Sequence, residues 1–304
     1  MHGHHGHAHD HHDHAHHHPA PGGQRYTIAI ALNLGFVAVE AAAGFIANST
    51  ALLSDATHNL SDVLGLALAG GAAWLAKRQS GEQRTYGYSK ATILAALANA
   101  LVLVIACGGI LTEAITRFFT PEPTQAGFVM AVAAIGVLIN GATAMLFLAG
   151  RKEDVNIRGA YLHMLADAGV SAAVIVAGGV IWLTNWHWID PAISVAVVLL
   201  ILWGTWGLLR ESLDLTLDAA PAHIDVAAVR SYLAEQPGVT AVHDLHVWAM
   251  GATKPALTAH LVRPEGNDDA FLARVSDGIA HRFGIGHVTI QVERAQRDDC
   301  AECH

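Results

Sequence analysis

The stretches "HNLSD" (58–62) and "HMLAD" (163–167) each lie inside a long apolar run. Each places a histidine four residues before an aspartate. Residues i and i+4 share one face of a helix, with Cβ atoms about 5–6 Å apart. Each pair can therefore point an imidazole and a carboxylate into one site. Ionisable groups at the centre of a bilayer cost about 2.5–3.5 kcal/mol each on insertion scales, so they mark functional sites by default. A single His/Asp pair could be a structural hydrogen bond. Two copies with the same order and spacing point to a shared purpose. If the two helices pack together, His58, Asp62, His163 and Asp167 form a set of two imidazoles and two carboxylates. Four such ligands in a tetrahedron suit Zn²⁺, and one divalent cation offsets two buried carboxylates.

The apolar runs define the rest of the chain. Of 304 residues, 53% are apolar and 14% charged, against about 25% charged in soluble domains. Crossing a bilayer takes about 20 mostly apolar residues. Six segments qualify, at roughly 26–47, 51–76, 89–115, 124–148, 158–183 and 190–210. Small residues recur in them, as in "EAAAGFIA" and "AALANALV", and allow close helix approach in lipid. Trp182, Trp186 and Trp188 cluster where an aromatic belt would sit. Lys77, Arg78, Arg84 and Lys90 fill the second connector. Arg151, Lys152 and Arg158 fill the fourth, and Arg210 follows the last span. The alternate connectors carry only Arg117. The positive-inside rule then predicts both termini in the cytoplasm.

Beyond residue 213 the periodicity changes. "HIDVAAVRSYLAEQPG" spaces Val226, Val229 and Leu233 as a helix and stops at Pro237–Gly238. "VTAVHDLHVWAM" and "PALTAHLV" read as strands. "NDDAFLARVSDGIAHRFG" has an Asn cap and sets Phe271, Val275 and Ile279 on one face. "HVTIQVE" alternates as a third strand. The order α-β-β-α-β predicts a three-stranded sheet backed by two helices. A unit of this size has a thin core, and dimerisation would support it. The expected organisation is a disordered His-rich tail (1–24), a six-helix transmembrane domain (25–212), a small cytoplasmic α+β domain (213–294) and a Cys/His tail (295–304).

Both tails carry metal-binding residue types. Residues 1–18 contain 11 of the 21 His, and neutral imidazoles collect Zn, Cu or Ni. The closing "CAECH" offers Cys300, Cys303 and His304. Read literally it is a c-type haem attachment motif, but a chain end on the inner face lacks room for a haem pocket. Two thiolates and an imidazole are good zinc ligands. Cys107 lies in an apolar run and reads as a packing residue. Three Cys make no disulfide framework, and no basic patch suggests nucleic acid. Asp55, on the face of Asp62, reads as a helix-entry cap or an approach ligand. Asn33 and Glu40 read as gating groups or packing partners. A site holding either protons or metal, exposed alternately to each side, would suffice for antiport.

The motifs "LNLGFVAVE", "ALLSDATHNLSDVLGL", "RTYGYSKATILAAL", "AYLHMLADAGVS", "DPAISVAVVLLIL", "VHDLHVWAM" and "HVTIQVE", in this order, resemble the cation diffusion facilitator family, specifically its zinc-transporting branch. The resemblance spans residues 26–294. It implies a six-helix membrane domain and a ferredoxin-like, metallochaperone-like cytoplasmic domain. It also implies a homodimer joined through both domains, exporting Zn²⁺ against protons across a bacterial inner membrane, and not an enzyme. The transport site it implies is His58, Asp62, His163 and Asp167. Manganese-type members use Asp or Asn in place of these His. In the cytoplasmic domain the resemblance implies regulatory zinc at His243, His260 and Glu293, with His246 and His287 as alternates. The His tract here is N-terminal, not in the connector "GRKEDVNIR" (150–158) as in many eukaryotic relatives. The connector 77–90 has no His, so the metal site that some relatives hold there has no counterpart.

Overall fold

Residues 23–120, 122–148, 155–266 and 269–295 are described by the structure, a computed structural model. The His tract, Arg151, Lys152, the Asn267 cap, Cys300, Cys303 and His304 lie outside these residues.

Six long helices come first: α1 (Gly23–Ala47), α2 (Thr50–Ala76), α3 (Ala91–Phe119), α4 (Ala126–Phe147), α5 (Val155–Thr184) and α6 (Ile189–Thr216). Among the described residues, five of them, α2 to α6, are long and apolar enough to cross a membrane. The first contributes a shorter apolar stretch, Ala31–Ala47. Large apolar side chains cover the outside, among them Phe45, Ile105, Trp203 and Phe119. That distribution suits lipid, where an apolar exterior carries no penalty.

Two apolar clusters hold the bundle. One joins α1, α2, α4 and α5 through Phe36, Leu52, Val129, Ala133 and Val174. The other joins α3 and α6 through Leu103, Cys107, Val197, Val198 and Ile201. Ile193 packs against both. Cys107 is fully buried and free, a packing residue as expected. Close approach depends on small residues. A Cβ at Gly136 of α4 would stand 2.8 Å from Phe36 of α1 and 2.9 Å from Ser171 Oγ of α5.

The smaller unit follows as α7 (Val226–Ala234), β1 (Ala241–Gly251), β2 (Lys254–Val262), α8 (Asp269–Phe283) and β3 (His287–Glu293). This is the order read from the sequence. Asp225 caps α7 by accepting from the Ala227 and Ala228 amides. The sheet runs β1-β2-β3, with β1/β2 antiparallel and β2/β3 parallel. Its core gathers Val229 and Leu233 of α7, Leu257 and Leu261 of β2, and Phe271, Val275 and Ile279 of α8. Val288, Ile290 and Val292 of β3 pack beside them.

The two parts meet at the ends of α2, α3 and α6. Lys90 Nζ lies 2.7 Å from Asp218 Oδ1. The Ala252 amide donates to Thr92 Oγ1 at 3.0 Å. The bundle therefore has an inner end beside the α+β unit and an outer end away from it. The α1–α2 turn, the α3–α4 connector and the α5–α6 connector lie at the outer end. There Trp186 stacks on Trp188, and Phe118 meets Trp188 edge-on.

Candidate metal site in the membrane bundle

Helices α2 and α5 place their His/Asp pairs face to face. His163 Nε2 lies 3.1 Å from Asp62 Oδ2 and 3.7 Å from Asp167 Oδ2. His58 Nε2 lies 3.5 Å from Asp167 Oδ1, and His58 Nδ1 lies 4.0 Å from Asp62 Oδ2. The two rings stand edge to face with centroids 5.9 Å apart. One ligand atom each from His58, His163 and Asp167 falls within 4.8 Å of the others. Asp62 adjoins this group through His163. Each carboxylate thus faces an imidazole from the opposite helix, which a sequence pairing within each helix could not foresee.

Exposure is graded along α2. Asp62 and His58 are 34% and 24% exposed, whereas Asp55, two turns before Asp62, is fully buried. A cavity of about 420 Å³ reaches the four residues, with walls from α2, α3, α5 and α6, including Asn99, Leu103, Ile201 and Trp203. On α2, Asp62 is the site residue nearest the inner, C-terminal end; on α5, His163 is nearest the inner, N-terminal end and is 39% exposed.

Beyond the site, toward the outer end, lies a second polar layer. Asp55 Oδ2 accepts from Ser171 Oγ at 3.0 Å, so Asp55 is not a helix-entry cap; Ser49 fills that role. Glu40 of α1 is also fully buried and interacts with Asp55, and its Oε2 accepts from Asn59 Nδ2 at 3.2 Å. Level with the ligands rather than beyond them, Asn33 of α1 donates to Met164 Sδ, next to His163 on α5, at 3.4 Å. Ser171 and Asn59 escaped the sequence reading. Their signal was the one-turn offset of Ser171 from Asp167 and the adjacency of Asn59 to His58.

A second cluster lies on the α+β unit. His243 Nε2 is 3.2 Å from Glu293 Oε2, and His260 Nδ1 is 3.4 Å from Glu293 Oε1. The register places His243 opposite His260, and pairs Glu293 with Val262 on the next strand. These three offer ligand atoms within 4.8 Å of one another. Asp244 joins them unexpectedly. It sits at a register shift in β1 with φ +50 and reaches His246 Nε2 at 2.9 Å and His260 Nε2 at 3.4 Å. The hydrogen bond from His246, with the charges of His260 and His243, holds the Asp244 carboxyl below the usual carboxylate range. Strand alternation alone would have pointed Asp244 away from His243, and the bulge removes that alternation. His246 joins the cluster only through Asp244. His287 does not join; its ring packs edge-on against Tyr86 of the α2–α3 connector, with centroids 5.6 Å apart.

Residues 26–215 match the cation efflux transmembrane domain, and residues 221–295 match the cytoplasmic domain of cation efflux proteins. The chain belongs to the cation efflux, or cation diffusion facilitator, family. That family consists of membrane transporters, not enzymes. Among its relatives, the cation efflux system protein CzcD of Alcaligenes sp. (strain CT14) is 38% identical over 283 residues, covering 90% of this chain and 88% of that one. The zinc transporter ZitB of Escherichia coli (strain K12) is 37% identical over 273 residues, covering 89% and 87%. A cadmium, cobalt and zinc/H(+)-K(+) antiporter of Bacillus subtilis (strain 168) is 34% identical over 272 residues, covering 88% and 87%. A solved structure described as the metal-bound C-terminal domain of the CzcD transporter from Cupriavidus metallidurans is 38% identical. It covers 23% of this chain and 99% of that one, with a TM-score of 0.20.

Proposed function

We propose that this transporter exports Zn²⁺ in exchange for protons, by alternating access through a tetrahedral site of His58, Asp62, His163 and Asp167. One observation carries the reading: two imidazoles and two carboxylates from α2 and α5 converge in the bundle with contacts of 3.1–4.0 Å. That donor set suits zinc better than manganese, because imidazole favours Zn whereas an all-oxygen set favours the harder ions. The names of the ZitB, CzcD and antiporter relatives agree with zinc, cadmium or cobalt as cargo and with a proton as counter-ion.

Proton coupling follows from ligand chemistry. Histidine must be neutral and aspartate ionised to bind metal. Metal and protons therefore exclude one another at the same four side chains. A site open to the inner end takes a metal and sheds protons there. Open to the outer end, it exchanges the metal for protons again.

We further read α1 as the sixth span, and the bilayer as a bacterial inner membrane with both termini in the cytoplasm. The organisation assigned is a His-rich tail (1–24), a membrane domain (25–212), a cytoplasmic domain (213–294) and a Cys/His tail (295–304). Two copies pair through both domains, and zinc at His243, His260 and Glu293, with His246 or the tail residues Cys300, Cys303 and His304 as further ligands, draws the cytoplasmic domains together.

The test is zinc titration of the purified protein in weak buffer at pH 7. The wild type should release protons as zinc binds, and the double variant Asp62→Ala/Asp167→Ala should lose the bundle's share of that release. Equal proton release by the wild type and the double variant would refute the assigned site.

A further inference from the structure

The site's outer side is closed by a fastening that the four ligands do not explain. Asp190 stands in the first turn of α6 and is buried. Its carboxylate accepts three hydrogen bonds from the head of α2. Ser49 Oγ donates to Oδ1, the Thr50 amide donates to Oδ2 at 2.7 Å, and Thr50 Oγ1 donates to Oδ2 at 2.9 Å. Ser49 is the N-cap of α2 and also accepts from the Leu52 amide at 3.2 Å. The carboxylate thus sits at the positive end of the α2 dipole, where negative charge is favoured. One turn further in, Ser54 and Ser194 share a hydrogen bond of 2.6 Å, and Ser194 Oγ donates to the Thr50 carbonyl at 3.2 Å. All these side chains are buried.

The same turn is held from α3. Arg117 Nη1 donates to the Asn48 carbonyl at 2.7 Å. Asn48, at φ +54, donates to Glu122 Oε2 at 2.6 Å. Helices α3 and α6 share one apolar cluster, and α1, α2, α4 and α5 share the other. The polar bonds at the outer end therefore fasten one helix group to the other. Asp55 and His58 lie one and two turns along α2 from this fastening.

We propose that Asp190 is a positioning residue of transport, latching α6 to the head of α2 so that the outer mouth stays shut while the site faces the inner end. The proposal rests on the alternating-access reading. In the structure Ser54, Asp55, Ser171 and Ser194, which lie between the ligands and the outer end, are fully buried, while Asp62 is about one-third exposed. An ion leaving outward has to part α2 from α6, and the Asp190 bonds are those that must open. They are strong because the acceptor is charged and buried. They are breakable because hydroxyl and amide donors, unlike a buried cation, can turn to water or to one another.

The first readout is accessibility, which needs no flux, and the second is the zinc KM of flux. Ile193→Cys places a reporter between the two helix groups, in a background with Cys107→Ala, Cys300→Ser and Cys303→Ser. An impermeant thiol reagent is applied to the outer face of right-side-out vesicles. Asp190→Asn should speed labelling at least five-fold, and should raise the zinc KM of flux at least three-fold as the inward-facing population falls. Asp190→Glu should restore part of the slow labelling. If Asp190→Asn does not fold, Thr50→Val removes one bond, leaves the carboxylate in place and should speed labelling by a smaller factor. Unchanged labelling in variants that still bind zinc would overturn the latch. Wild type that moves no zinc would overturn the antiport reading instead, and the labelling rates would still judge the latch.

Discussion

In the proposed site, His58 and His163 are the only nitrogen donors among the four side chains, so they should set its ion preference. Replacing His58 by Asp hardens the donor set toward oxygen. His58→Asp should let manganese compete with zinc, lowering the zinc-over-manganese preference by about tenfold or more in a metal-competition flux series. An unchanged ranking would remove the imidazoles from the selectivity argument. On the α+β unit, Asp244 hydrogen-bonds His246 at 2.9 Å and stands 3.4 Å from His260 Nε2, and so helps to orient both rings. Partners that orient metal ligands are worth about 10–100-fold in affinity. Asp244→Asn should weaken zinc binding at the His243/His260/Glu293 cluster by that factor in calorimetry, while Glu293→Gln should abolish it. The four bundle residues were legible from spacing alone, since the helical period is regular and lipid makes charge expensive. Asp244 was not, because a bulge breaks the two-residue period and only the folded strand reveals it. The Asp190 bonds were equally hidden, since they join residues 140 positions apart.

Packing between helices depends on a few close approaches, and these set what substitutions each helix tolerates. Gly136 of α4 lies so near Phe36 and Ser171 that a side chain there pushes into both. Overpacking of this kind costs about 1–3 kcal/mol. Gly136→Val should lower the thermal midpoint of the detergent-solubilised protein, and should cut flux by shifting Ser171 away from Asp55. An unaltered midpoint would mean that α1 and α5 yield easily at this point. In the α+β unit, α8 presents Phe271, Val275 and Ile279 to the sheet, all fully buried. Phe271→Ala should cost that unit about 3–5 kcal/mol, measurable as an earlier denaturant transition of the cytoplasmic domain. These elements were visible in the sequence because apolar period and turn residues coincide. Their extents were less so. Helix α6 runs to Thr216, some six residues past the apolar run ending near 210, because polar residues continue a helix once it leaves the apolar stretch.

Across the molecule, two polar regions bracket the candidate metal site. At the outer end, Asp190 and Arg117 fasten the connectors. At the inner end, Lys90–Asp218 and Ala252–Thr92 tie the bundle to the α+β unit. The candidate cluster of His243, His260 and Glu293 lies on the same unit that adjoins α3 and α6, so zinc bound there would act on that joint. The exposed Lys90–Asp218 pair is worth about 0–1 kcal/mol and is screened by salt, so it guides the joint without locking it. In the proposed mechanism the four bundle residues carry zinc outward in exchange for protons. The measurement that tests it most directly is zinc uptake into proteoliposomes under an imposed pH gradient. Wild type should accumulate zinc in proportion to the gradient, and Asp62→Ala and Asp167→Ala should not. Zinc binding without gradient-driven uptake in the wild type would contradict the account and leave a membrane-bound zinc sensor in its place.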